Sequence, residues 1–285
     1  MAIGKLNNVA SASIAKINNI AIASVANFDG VEPASAAAGI STGNLVVHLD
    51  AGDASSYSGS GTDWLDLTAS NVDGVLVNGP VYDASDGGGS FYFDGTNDGF
   101  LIDYDDAAAL RPSAADLDGD GHTVQMWVKN VAGEQVVLSY GTYDSPNTYY
   151  GMEFAAQSHP TRGQRILVHI FEGTANNSPS SRRSAATSWG SHSAATWYLF
   201  TFILPSNEYA DVDFYLNADV VATTVGSGTG DNNSPGYLRN RDSGIGYNRG
   251  TFREGYVSQV IVYDKALSSS EVGDNFDATK SRYGY

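Results

Sequence analysis

Residues 122–130 read HTVQMWVKN, and the alternation in this stretch decides the fold class. Val124, Met126 and Val128 fall on one side of a pleated strand, while Thr123, Gln125, Trp127 and Lys129 fall on the other. A period of two marks a strand that lays one face on a core. Working outward, similar runs recur at short spacing. QVVLSYGT, YYGMEFAAQ and RILVHIFEG come next, then TWYLFTFIL, DVDFYLNADVVATTV and EGYVSQVIVYDKAL. Upstream, NLVVHLDAG ends in a turn and VDGVLVNGPVYD carries two glycine turns. In GGSFYFDGTNDGFLIDY, Phe91 and Phe93 alternate, Asp94 to Gly99 supply turn residues, and Phe100 with Ile102 resume the alternation, so the stretch reads as a hairpin. Asn217–Ala218–Asp219 predicts a second hairpin turn, between Tyr215 and Val220. SSSEVGDNFDATKSRYG reads as one short helix with a serine cap ahead of Glu271. About a dozen short strands and a late helix predict a two-sheet antiparallel sandwich.

Composition agrees. Among 285 residues there are 17 Tyr, 11 Phe and 4 Trp, which suit a pleated, half-buried surface, and 32 Gly, which suit frequent turns. The net charge of −17 argues against a free-standing nucleic-acid binder, since phosphate contacts require Lys and Arg. Cysteine is absent, which excludes a disulfide framework and thiolate metal sites. No run of about twenty apolar residues is present, so no membrane insertion is expected. Lys5, Asn7, Asn8, Lys16, Asn18 and Asn19 interrupt the first apolar residues, so no secretory leader is legible there.

The first thirty-one residues follow another rule. IGKLNNVASAS (3–13), IAKINNIAIAS (14–24) and VANFDGV (25–31) share one eleven-residue frame. Asn7–Asn8, Asn18–Asn19 and Asp29–Gly30 recur at the same place, each between large apolar residues. Asn and Gly tolerate positive φ, which a two-residue hairpin turn needs, so a small β-meander is expected. Thirty residues of meander cannot bury enough apolar surface to stand alone. The segment is therefore read as an anchor or oligomerisation element that buries Ile3, Leu6, Val9, Ile14, Ile17, Ile20 and Phe28 against a partner, by strand pairing. EPASAAAGIST, residues 32–42, reads as a linker, and 43–285 as the main domain.

The main domain resembles a known family. An apolar strand ending in Asp-Ala-Gly, then WLDL (64–67), GVLVNG (74–79) and FYFDGTND (91–98), is similar to the opening of laminin-G-like, or concanavalin A-like, jelly-roll domains. GYVSQVIVYDKALSSSEVGDNF resembles the closing strand and helix of that family. The resemblance implies an all-β, two-sheet antiparallel jelly roll over residues 43–285. The tandem A-K-I-N-N-[VI]-A units resemble structural proteins of tailed phages, especially those of marine and cyanobacterial hosts. That second resemblance implies a virion component on the outer surface of a capsid or tail, whose partners are other virion proteins and copies of itself.

Candidate site residues follow from both readings. Members of this family often hold calcium at one rim, which implies a role for Asp94, Asn97 and Asp98. Asp116, Asp118 and Asp120 in DLDGDG mimic the start of a calcium loop, but Trp127 stands where the bidentate Glu belongs; an acidic inter-strand turn explains the same residues. Sugar recognition joins an aromatic platform to polar partners, which singles out Tyr143, Tyr149, Tyr150 and Trp189 in two loops; inter-strand packing accounts for many Tyr in any sandwich. The glycosidases of this fold place carboxylates as Glu-x-Asp-x-x-Glu, and no such triplet exists here. His48, His122, His159, His169 and His192 form no metal spacing. The expectation is a non-enzymatic virion structural protein, a decoration or short fibre. The alternative is a lectin-like protein that recognises a host-surface glycan, with calcium as an optional ion.

Overall fold

The computed structural model describes residues 16–17, 20–21, 39–103, 110, 120–131, 135–140, 150–172, 182–205, 212–225, 243–245, 247–248 and 251–285. β1 (Lys16–Ile17) and β2 (Ile20–Ala21) pair antiparallel, Ile17 opposite Ile20. β3 (Leu45–Asp50), β4 (Asp63–Trp64), β5 (Gly74–Val77), β6 (Val81–Asp83), β7 (Ser90–Asp94) and β8 (Gly99–Ile102) open the sandwich. β9 (His122–Lys129), β10 (Gln135–Tyr140), β11 (Tyr150–His159), β12 (Gly163–Glu172) and β13 (Arg182–Thr187) come next. β14 (Trp197–Leu204), β15 (Asp213–Leu216), β16 (Asp219–Val221), β17 (Thr223–Val225), β18 (Ser243–Ile245), β19 (Tyr247–Asn248), β20 (Thr251–Phe252) and β21 (Glu254–Tyr263) follow. A helix, α1 (Ser269–Thr279), then runs into a 3-10 turn, Lys280–Tyr283.

Two antiparallel sheets make the sandwich. One has nine strands in the order β17-β13-β12-β11-β10-β18-β8-β5-β4. The other has eight, β16-β15-β14-β9-β21-β7-β6, with β3 also on β21. Alternate residues of both sheets meet between them: Val124, Met126 and Val128 from β9, Met152, Phe154 and Ala156 from β11, Phe200 and Phe202 from β14. Burying each such aromatic or aliphatic side chain stabilises the fold by about 1.5–3 kcal/mol.

The stretch expected to form a hairpin at residues 88–104 does not form one. β7 joins the eight-stranded sheet and β8 the nine-stranded sheet, so the chain crosses between layers. Asp94 drives the corner: its Oδ1 accepts from the Thr96 N–H at 2.7 Å and the Asn97 N–H at 3.2 Å. Alternation is the same for a hairpin and for a corner, because in both cases every second side chain points inward. Trp64 sits in the fold of this corner, its ring centroid 4.9 Å from those of Phe91 and Phe100.

β3 and β7 lie end to end along one edge of β21, which pairs with β7 at 254–257 and with β3 at 259–263. Where they abut, Gly89 has φ +126 and an added Cβ would lie 2.6 Å from the Gly52 Cα. Glycine at that junction lets two backbones meet.

The second face of β9 is also buried, because α1 packs on it. Gln125 and Trp127 are fully buried. Gln125 Nε2 donates to Thr201 Oγ1 at 2.9 Å, and Asn275 Nδ2 donates to Gln125 Oε1 at 2.6 Å and to the Tyr263 hydroxyl at 2.8 Å. Trp127 Nε1 donates to Thr279 Oγ1 at 2.9 Å. The 3-10 turn completes the latch: Tyr283 stacks on Trp127 with centroids 3.7 Å apart, and Arg282 forks onto Asp50 at 2.6 and 2.8 Å. The expected serine cap is Ser268, which forms a capping box with Glu271. The expected turn at Asn217–Ala218 joins β15 to β16, with Asn217 at φ +60.

Candidate functional site

With α1 on the outer side of the eight-stranded sheet, the outer side of the nine-stranded sheet is left to carry a depression. Register places its side chains. β11 and β12 set Gln157 opposite Arg165, Ala155 opposite Leu167 and Glu153 opposite His169. β12 and β13 set Leu167 opposite Ala186 and His169 opposite Ser184. Each of these lies one residue out of step with the core-facing Phe154, Ile166, Val168 and Ala185, so they share the outer face. Ala155, Leu167 and Ala186 form a small buried cluster of their own beneath it.

After β13 the chain turns back over β12. Gly190 and Ser191 donate their N–H groups to the Gln164 carbonyl at 2.7 and 3.1 Å. Thr187 Oγ1 accepts from the Ile166 N–H at 3.1 Å. This clamp hangs Trp189, half-buried, above the outer face. The Arg165 guanidinium lies over the indole, 4.1 Å from its centroid, and His159 meets the same ring edge-on at 5.5 Å. Arg165 Nε donates to Gln157 Oε1 at 2.8 Å.

The result is a depression of about 360 Å³, the lower end of the range for small-ligand sites. Leu167 and Ala186 floor it; Arg165, His169 and Trp189 wall it; Ser184, Thr187 and Ser188 add hydroxyl groups. An aromatic face beside a guanidinium, an imidazole and the Ser184 and Ser188 hydroxyls can pack one apolar face of a ligand and hydrogen-bond its polar edge. Among the described residues no carboxylate lines it. Behind the turn, His192 is edge-on to Phe200 at 4.9 Å, and burial holds its pKa down at about 4.

Of the aromatic residues singled out from sequence, Trp189 lies in this depression. Tyr150 begins β11, with its backbone opposite Glu172, and Tyr143 and Tyr149 lie outside the described residues. Asp94, Asn97 and Asp98 sit at the corner between β7 and β8. Asp98 Oδ2 accepts from the Asp94 N–H at 3.2 Å, and Asp94 Oδ1 is taken up by N–H groups of its own turn. These carboxylates accept N–H groups of their own turn, and among the described residues no group of three or more His, Cys, Asp or Glu is placed to hold a metal ion. Asp120 is exposed, its carbonyl accepting from the Ala266 N–H at 2.6 Å, and Asp116 and Asp118 lie outside the described residues. Of the assembly residues, Ile17 and Ile20 pair across β1 and β2, while Ile3, Leu6, Val9, Ile14 and Phe28 lie outside the described residues. Sequence reasoning passed over Arg165, His169 and Ser184. The polar alternates within RILVHIFEG were a legible signal, but Leu167 between them obscured it.

The family model described as the Concanavalin A-like lectin/glucanases superfamily matches residues 103–273. The chain belongs to this superfamily. Its strands before residue 103 complete the same two sheets, since β3 and β7 pair with β21 and β5 pairs with β8. Among solved structures, the chain is similar to the binding domain of Paraclostridial mosquitocidal protein 1, at 16% identity and TM-score 0.55, over 82% of this chain and 52% of that one. It is similar to the receptor binding domain of botulinum neurotoxin C/D mosaic serotype, at 10% identity and TM-score 0.55, over 82% and 51%. Trypanosoma rangeli sialidase in complex with 2,3-difluorosialic acid aligns at 18% identity and TM-score 0.53, over 86% of this chain and 35% of the enzyme. The chain thus spans about half the length of the toxin domains and about a third of the sialidase. At such identities the likeness is one of fold. A comparison with curated proteins found no match.

Proposed function

We propose that this chain is a non-enzymatic recognition protein whose jelly roll binds a glycan in the depression on the outer face of the nine-stranded sheet. One observation carries the reading: Trp189 is clamped over that face beside Arg165, His169 and hydroxyl side chains, in a volume suited to a sugar unit. Binding without cleavage is supported by the lining, which among the described residues holds no carboxylate, whereas glycoside hydrolysis ordinarily needs two flanking the bond. Solved structures of similar fold that are named as binding domains are consistent with this role. The test is a glycan array probed with the full chain and with Trp189→Ala. The wild type is expected to bind a defined set of glycans, and the variant to lose at least about tenfold in affinity, or about 1.4 kcal/mol. A variant that binds as well as the wild type would overturn the site, and a silent array would overturn the reading.

A second reading concerns the N-terminal repeat, favoured by the pairing of Lys16 with Ala21 and Ile17 with Ile20 around Asn18–Asn19. We propose that this strand-forming repeat fastens the jelly roll to copies of itself or to other proteins of a particle, making the chain a virion decoration or short fibre. Light scattering on the full chain and on Ile17→Asp tests it. An oligomer reduced to a monomer supports assembly through the repeat, and equal masses refute self-assembly.

A further inference from the structure

We infer that His192 is a positioning residue for the glycan site: through Ser191 it holds the turn that carries Trp189, and on taking up a proton it lets that turn go, so that the site empties in acid. The inference rests on the reading of the depression as a glycan site. The hydrogen bonds of the turn converge on Ser191 Oγ. This hydroxyl donates to the Gln164 carbonyl at 3.3 Å, accepts from Thr187 Oγ1 at 3.2 Å and meets His192 Nδ1 at 3.0 Å. The other ring nitrogen, Nε2, lies 3.3 Å from Nδ2 of Asn130, the residue after β9 in the opposite sheet. The Asn130 carbonyl also accepts from the Ala195 N–H at 2.9 Å. Trp189 is thus tied to β12 on one side and, by way of the imidazole, to the eight-stranded sheet on the other.

These partners suit the neutral ring alone. An amide nitrogen only donates, so Nε2 accepts from Asn130; the ring then carries its proton on Nδ1 and donates it to Ser191 Oγ, whose own proton points at Gln164. A second proton, on Nε2, would face the Asn130 NH2 group, donor against donor. Tyr198 and Phe200 of β14 enclose the ring, their centroids 5.4 and 4.9 Å away. Of these neighbours only Tyr198 is titratable, and a phenol stays uncharged in acid. Burial, with no charged neighbour among the described residues, holds the His192 pKa down at about 4. In a released turn the ring returns to its ordinary value of about 6.5. The clamped form is therefore fully favoured above that value and loses ground as pH falls toward 4; by pH 5 the released form gains about thirtyfold on it.

The experiment follows Trp189 in the full chain by acrylamide quenching of tryptophan fluorescence between pH 7.5 and pH 5. Trp64, Trp127 and Trp197 are buried, so the quencher reads the half-buried Trp189. Quenching is expected to rise at least about twofold toward pH 5 with an unchanged far-UV circular dichroism spectrum, and to stay flat in His192→Gln, which cannot take up the proton. Asn130→Asp, which gives an Nε2 proton an acceptor, should also stay flat. Quenching that does not rise in the wild type, or that rises as much in either variant, overturns the role of His192. His159 and His169 also stand at the depression, and a rise kept in His192→Gln would pass to them. Calorimetry with the glycan that binds most strongly on the array should show affinity falling at least about fivefold over the same range in the wild type, and under about twofold in His192→Gln. An affinity that holds in the wild type overturns the acid release and leaves the glycan reading standing. A silent array with quenching as expected removes the glycan reading and leaves the positioning of Trp189.

Discussion

The latch on the outer side of the eight-stranded sheet makes a quantitative prediction at Tyr283. Its side chain is 9% exposed, stacks on Trp127 at 3.7 Å and 12°, and shares a hydrogen bond with Ser258 Oγ at 2.9 Å. Truncating a buried aromatic to alanine costs about 3–5 kcal/mol in transfer and cavity terms, a range that includes most of the stacking energy. Tyr283→Ala is therefore expected to lose about 4 kcal/mol, a large part of the 5–15 kcal/mol typical of a domain. Tyr283→Phe should lose about 1 kcal/mol or less, because the ring stays and Ser258 Oγ still reaches the Gly89 carbonyl at 2.6 Å. Urea unfolding followed by tryptophan fluorescence measures both, with equal slopes showing that the transition is comparable. Affinity for a glycan should not move in either variant, because Trp189 and Arg165 lie on the opposite sheet. A loss below about 1.5 kcal/mol in Tyr283→Ala, or equal losses in the two variants, would refute the latch as a source of stability.

Three further outcomes are expected. Burial depresses the His192 pKa to about 4, so the native state stays neutral while the unfolded chain takes up a proton near pH 6.5; stability is complete above that value and falls as pH drops toward 4, by about 3 kcal/mol in all. His192→Gln should flatten that part of a Tm-versus-pH curve, though not remove it, since burial lowers His48 in the same sense. Asp66 accepts from the His48, Thr68 and Val72 N–H groups at 2.8, 3.0 and 3.1 Å, so Asp66→Ala should cost about 3 kcal/mol in chemical denaturation, and Asp66→Asn less. Gly89→Ala must both hold φ +126 and push against the Gly52 backbone, and should unfold at a Tm lower by roughly 10 °C or fail to accumulate folded.

Much of this molecule was legible from pattern alone. The alternation in HTVQMWVKN named the core residues Val124, Met126 and Val128 correctly, and Ser268 and Asn217 marked a helix start and a hairpin turn through local hydrogen bonding and positive φ. Such features depend on neighbours within a few residues, and so they are written in the chain. Pairing is different. Nothing in FYFDGTNDGFLI distinguishes a hairpin from a corner, since inward alternation serves both and the choice falls to partner strands outside this stretch, β21 and β6 for β7 and β18 and β5 for β8. The same limit hid the second face of β9. Gln125 and Trp127 read as a polar-facing row until α1, 150 and 152 residues further on, supplied Asn275 and Thr279 as partners.

The candidate site divides along the same line. Trp189 stood out because a large aromatic in a loop of Ser, Gly and His has little local reason to be there. Arg165, His169 and Ser184 did not stand out, because each is an ordinary strand residue. What makes them a site is register: β11, β12 and β13 bring residues about 15 to 30 positions apart into one row, and the Gly190 and Ser191 bonds to Gln164 swing Trp189 across it. By itself, the sequence determined the fold class, the strand faces, the helix cap and the repeat. Tertiary structure alone decided which polar side chains share a face, because that depends on interstrand hydrogen bonds between distant segments, whose energy no local pattern contains.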